Sequence, residues 1–252
     1  MSDRIPVFER GDDDFPYYNG LPITISGVKW LFVIAMAAAG FALLTAKIAW
    51  PGGTWGQFVP AILFFALPLA GLAIVAPQDW KAIFRKVGGR EIKQMFGYAA
   101  LNILVSMAIG MLVMKFFGVV SNSAVADIAN LSQADAFLYY LKTGLQLFGE
   151  ELISILPFLA ILYLLFRHGK LSRNKAIIAA WILSAIPFAL VHLPTYQWNW
   201  IQCLVVIGGA RLVLTLAYIR SKNIWVSTGA HVLNDWTLFT MNVLGAGLAT
   251  AQ

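Results

Sequence analysis

Seven apolar runs, each long enough to cross a bilayer, take up most of this chain: about 28–49, 58–77, 95–117, 137–166, 176–193, 200–219 and 224–244. A spanning helix needs roughly 20 apolar residues. Hydrocarbon offers no water to satisfy backbone groups, so apolar runs of this length fold as helices. The fold class expected is therefore all-α, a polytopic transmembrane helix bundle of seven spans. An eighth short or re-entrant segment has room within 119–136, which contains the apolar stretch Ala124–Leu131. The charged fraction agrees: 12%, against about 25% in soluble domains, leaves too little polar surface to wrap a soluble globule. Turn chemistry marks the joints at Pro51-Gly52-Gly53, Gly88-Gly89, Ser121-Asn122, His168-Gly169, Pro194 and Ser221-Lys222-Asn223. Residues 1–27 read as a cytoplasmic N-terminal tail and 28–252 as a single transmembrane domain. The fourth run is long, and Gly149 and Pro157 mark points where it would kink.

The loops alternate in charge. The 78–94 loop carries Lys81, Arg85, Lys86, Arg90 and Lys93; the 167–175 loop carries Arg167, Lys170, Arg173 and Lys175; the 220–223 loop carries Arg220 and Lys222. The loops 50–57, 119–136 and 194–199 have no Lys or Arg. Positive-inside bias then puts the N-terminus in the cytoplasm and the C-terminus outside. It also accounts for the net charge of +6 without any nucleic-acid partner. The first apolar run starts too late and runs too long for a signal h-region, so no cleavable signal peptide is expected. Cys203 is the single cysteine, which rules out an intrachain disulfide and a cysteine zinc cluster. The Asp12–Asp14 cluster of the tail reads as a solvated cap.

Against this apolar background the intramembrane charges stand out. Lys47, Lys115 and Lys142 lie near span ends, where long amines reach the headgroups. Glu150 and Glu151 do not: they sit side by side within the fourth run. One carboxylate at bilayer depth costs roughly 2.5–3.5 kcal/mol on insertion scales, so the pair needs a proton, a cation, a metal or a water-filled cavity. Arg211 lies about 12 Å from the inner end of the sixth run by helical rise. It calls for a buried carboxylate partner among Glu150, Glu151 and Asp235. His192 and His231 fall in the fifth and seventh runs. His231 and Asp235 are one helical turn apart on a shared face, able to hold a water, a metal or each other. Counting along parallel helices, however, separates His192 and His231 by about 10 Å in depth. They meet only if the fifth helix is tilted or begins below the membrane plane.

The order Glu150-Glu151, then Phe188-x-x-x-His192, then His231-x-x-x-Asp235 resembles the CAAX protease and bacteriocin-processing family of intramembrane proteases, over roughly 137–244. Ile155 stands where that family's first motif has arginine. The resemblance implies an intramembrane endopeptidase acting on a peptide or membrane-protein substrate. Its catalytic residues would be Glu150, Glu151, His192, His231 and Asp235, supported by Phe188, Arg211 and Asn234. Glu150 would activate the attacking water, with His192 orienting it and His231 and Asp235 stabilising the oxyanion or contributing to a metal site. Two readings stay open: zinc held by His192, His231 and Glu150 with an open position, or a metal-free glutamate base raised by desolvation. Asp235, anionic where asparagine would be neutral, suits a metal ligand or a histidine orienter better than an oxyanion donor.

Two other functions compete. Ile155 in the arginine's place also suits a non-catalytic relative, such as a bacteriocin-immunity or regulatory membrane protein. A proton-coupled transporter would use intramembrane acids and histidines too, but it predicts inverted repeats and the sequence shows none. The expected location is integral to a membrane, that of a prokaryotic cell, with lipid as the surrounding partner.

Overall fold

The computed structural model describes residues 4, 5, 8, 9, 13–122, 128 and 131–250, backbone only at 242 and 244–250. It is an all-α bundle of α1 (Gly27–Thr45), α2 (Phe58–Val75), α3 (Gly89–Phe117), α4 (Gln133–Tyr163), α5 (Arg173–Val191), α6 (Gly208–Ser221) and α7 (Ile224–Thr250). The described residues include no strand. Among the described residues six stretches are long and apolar enough to cross a membrane: α1 to α5 with their flanking turns, and Gln202–Ser221. All seven apolar runs become helices. Most of the eighth segment considered within 119–136 lies outside the described residues, as does Asp12.

Local sequence explains the helix ends. The Ser132 hydroxyl accepts the Asp135 amide at 3.1 Å and donates to its carboxylate at 2.7 Å, closing the first turn of α4. The Glu91 carboxylate reaches back to the Gly88 amide at 3.0 Å to start α3. Lys222 adopts φ +51°, a left-handed cap that stops α6 and turns the chain into α7. At the span ends, Lys115 and Lys142 rest their amines over Phe116 and Tyr139.

The organising element is α4. With the wide turn after it, it covers Gln133–His168, 36 residues, and two thirds of its apolar window is buried; for α3 the share is 11%. A lipid-facing α3 and a buried α4 follow from this difference. The helix runs unbroken through both Gly149 and Pro157. Gly149 is there for closeness: a methyl group would strike the buried Phe64 ring of α2. Around α4 pack α1, α2, α5 and α7, while α6 fills the space between α3, α5 and α7.

The N-terminal tail is part of this packing. Phe15, Tyr17 and Tyr18 are buried, with Phe15 edge-on to Phe158 of α4. Arg173, at the start of α5, grips both oxygens of Glu9 at 2.7 Å and Asp14 at 2.6 Å. Lys222 meets Glu9 at 2.8 Å, and both side chains are fully buried. Arg85 bridges Asp13 at 3.1 Å and the Lys222 carbonyl at 2.9 Å. The acidic cluster is therefore not simply a solvated cap: Asp13 is exposed, but Asp14 is half-buried and clamps the tail to the helix ends. Burial alone would raise the Glu9 carboxyl; hydrogen bonds from Arg173 and Lys222 overcome it and hold it at about 2, below its ordinary 4.5. Burial also lowers the Lys222 ammonium, and Glu9 works against that fall.

A carboxylate with a depressed folded pKa stabilises above its ordinary value and loses that contribution as pH falls towards the folded one. The depression of Glu9 corresponds to about 3 kcal/mol. The thermal midpoint in detergent should therefore hold down to about pH 4.5 and drop between there and pH 2. Glu9→Gln should lower the midpoint at neutral pH and flatten the acid drop. An unchanged acid slope in that variant would show that Glu9 does not carry the clamp.

Candidate active site

The site forms where α4, α5, α6 and α7 meet. On α4, adjacent positions are turned by about 100°, so Glu150 and Glu151 face different neighbours. Glu151 is fully buried and points at α6, where Arg211 binds it with both arms, Nη1–Oε1 at 2.6 Å and Nη2–Oε2 at 3.1 Å. The remaining Nε–H of Arg211 donates to the Thr215 hydroxyl at 3.1 Å. The guanidinium lies 5.1 Å from the Phe188 ring centre. Glu151 Oε1 also accepts from His231 Nδ1 at 2.9 Å. The carboxylate is thus held by fixed donors at both oxygens.

Glu150 is different. Its Oε1 accepts from Gln146 Nε2 at 3.2 Å. Its Oε2 faces His231 Nε2 at 3.8 Å and His192 Nε2 at 4.0 Å. Asp235 Oδ1 lies 3.7 Å from the same His231 nitrogen, and the Asn234 amide donates to it at 2.8 Å. His192 Nδ1 bonds the Phe188 carbonyl at 2.7 Å. In both histidines the Nδ1 partner is a pure acceptor, so Nδ1 carries the hydrogen and Nε2 is left facing Glu150. Phe188 packs beside both rings, 4.6 Å from His192 and 6.4 Å from His231 between centres. That explains the Phe-x-x-x-His spacing: one turn of helix gives the ring a hydrogen-bond anchor and a wall.

The 10 Å separation counted for the two histidines is absent: both ring Nε2 atoms lie within 4.0 Å of the same Glu150 oxygen. The first residue of α5, Arg173, is buried under the tail, and His192 follows the last turn of that helix. The geometry brings together Glu150, Glu151, His192, His231, Asp235, Phe188, Arg211 and Asn234. Sequence reasoning did not single out Gln146, Thr215 or Tyr196. Tyr196 is hydrogen-bonded to Asn122, and burial, then the charge of Asp235, pushes its phenol up. Its position four residues after His192 was the available signal.

The metal reading meets a spacing problem. Tetrahedral zinc with bonds near 2.0–2.1 Å holds its ligands about 3.3 Å apart, and the facing donors here stand at 3.7–4.0 Å. Among the described residues no group of three or more His, Cys, Asp or Glu is disposed to hold a metal ion. The donor types suit zinc; their spacing is wider than bound zinc holds its ligands.

Residues 132–237 match a family model described as type II CAAX prenyl endopeptidase Rce1-like. This stretch is similar to the domain of that family. It runs from the N-cap of α4 to two residues past Asp235, and so contains every side chain of the Glu150 centre. The family is one of CAAX-type intramembrane endopeptidases. No curated protein and no solved structure matches the chain.

Within the matched stretch the substitution at Ile155 has a clear counterpart. Ile155 is fully buried in the apolar core, and the cation beside Glu151 comes from α6 as Arg211. Deleting one partner of a buried pair costs about 3–5 kcal/mol, because the other charge is stranded. Arg211→Ala should lower the thermal midpoint in detergent accordingly. Adding Ile155→Arg, one turn from Glu151 on the same helix, should restore part of the loss. Strictly additive effects would show that the two positions do not serve the same carboxylate.

Proposed function

We propose that this protein is an intramembrane endopeptidase in which Glu150 activates water for attack on a peptide bond. The observation that supports it is the contrast between the two glutamates. Glu151 is saturated by Arg211 and His231, whereas Glu150 directs one oxygen at two histidine nitrogens 3.8 and 4.0 Å away. A carboxylate oxygen and two ring nitrogens converging at that distance suit a bridging water molecule. Glu150 takes the water's proton as the oxygen attacks the carbonyl carbon. His192, its ring fixed by the Phe188 carbonyl, orients the water. The proton then passes to the departing nitrogen, with His231 Nε2 placed to relay it. Glu151 and Arg211 are positioning residues in this scheme: they fix the tautomer and plane of His231. Asp235 orients His231 from the other side. The substrate is a peptide or a membrane protein, and the end of the bundle carrying the tail and the basic loops faces the cytoplasm.

Glu150→Gln keeps the shape and removes the base, so it should reduce cleavage of a membrane peptide by about 10²–10⁴-fold with an unchanged thermal midpoint. Cleavage read by mass spectrometry and undiminished in that variant would dismiss Glu150 as the base. Exhaustive chelation followed by elemental analysis tests the zinc reading separately. Activity retained without metal is the expected result; loss on chelation and recovery with zinc would make His192, His231 and Glu150 ligands.

A further inference from the structure

A second site, not lined by Glu150, lies at the end of the bundle that carries the tail. A cleft of about 980 Å³ opens there, at the upper end of the ~300–1,000 Å³ range for small-molecule sites. Its rim is basic. Arg85 and Arg90 have carboxylate neighbours, Asp13 at 3.1 Å and Glu91 at 4.0 Å. Lys81 and Lys86 are exposed, with no carboxylate within 4.0 Å among the described residues. Its floor is aromatic. Phe148 stacks on Trp225 at 5.1 Å, and Phe84 lies 5.2 Å from Trp225 and 6.0 Å from Trp80.

The surroundings decide what kind of ligand fits. The 76–88 connection joins two apolar helices, so the rim sits where the chain leaves the hydrocarbon. The side walls are α2 and α3, which pack on different partners, α2 on α1 and α4, α3 on α6 and α7. These helices also present exposed apolar side chains, Ile74 on α2 and Ile92 and Phe96 on α3. A site with unpaired ammonium groups at headgroup level, an aromatic floor and apolar flanks complements an acidic amphiphile. A water-soluble anion would leave the floor uncovered, and a neutral lipid would leave the lysines without a counter-charge.

We propose that this cleft binds an anionic phospholipid of the surrounding bilayer, with its phosphate on Lys81 and Lys86 and its upper acyl chain over Phe84, Phe148 and Trp225. The floor residues belong to the helices that carry the candidate active site: Phe148 is two positions before Glu150 on α4, and Trp225 is six before His231 on α7.

The test is lipid retention by the full chain, purified in detergent, mixed with equimolar phosphatidylglycerol and phosphatidylcholine and read by native mass spectrometry. One phosphatidylglycerol should be kept in preference to phosphatidylcholine. Each basic residue near an anionic headgroup contributes about fivefold, so Lys81→Gln with Lys86→Gln should cut that preference by about 10–30-fold. The thermal midpoint in lipid-free detergent should stay unchanged, which separates lost binding from lost folding. Arg167→Gln with Lys170→Gln, in another basic loop, should leave retention as it was. Equal retention of the two lipids overturns the proposal. So does an equal loss in the Arg167/Lys170 variant, which would mean diffuse surface charge. Complete displacement by glycerol 3-phosphate at the lipid's own concentration overturns it too, since the floor would then contribute nothing.

Discussion

The Glu151–Arg211 pair is the constraint on which the centre of this bundle depends. Both side chains are fully buried, where separating the charges would be far more costly than in water. The pair is tolerable because both carboxylate oxygens and all three guanidinium nitrogens have partners: two guanidinium–carboxylate bonds, one bond from Arg211 to Thr215 and one from His231. Those bonds link α4, α6 and α7 at one depth. Through the Arg211–Phe188 contact they also set α5. Glu150 is one residue along from this knot, so its position and that of His231 follow from it. Glu150 keeps one oxygen facing the two histidines while its neighbour is tied at both.

Much of this was legible in the sequence. The seven apolar runs gave all seven helices, since length and hydropathy decide structure in hydrocarbon more firmly than local propensity does. Arg211 was too deep in its span to reach water, and depth alone demanded an acid. What the sequence could not supply was the third dimension. Which of Glu150, Glu151 and Asp235 met Arg211 depended on a helical rotation of about 100° between adjacent residues. The approach of His192 to His231 on one Glu150 oxygen depended on how the helices pack, which no residue count reveals. Gln146 and Thr215 were invisible because a single polar residue in a span carries no signal until its partner is known.

The tail was the larger omission. Lys222 and Arg173 were read as loop cations, and they do lie between apolar runs. Yet Lys222 is fully buried and Arg173 nearly so, both closing on Glu9. Charge patterning reports which side of a membrane a loop lies on; it cannot report whether another segment of the chain will fold over it. The tyrosines and Phe15 around Asp14 were the hint, since aromatics are costly to leave in water at that density.

The clamp has a consequence for biosynthesis. Glu9 is made 164 residues before Arg173 and still further ahead of Lys222. At translation rates of ~5–20 residues per second, the tail waits on the order of ten seconds or more for its first cation, with its aromatic cluster unburied. The last ion pair to close therefore joins the earliest segment to the latest turn. It forms only after α6 has been made, so full closure of the clamp on Glu9 reports that α6 is already in place.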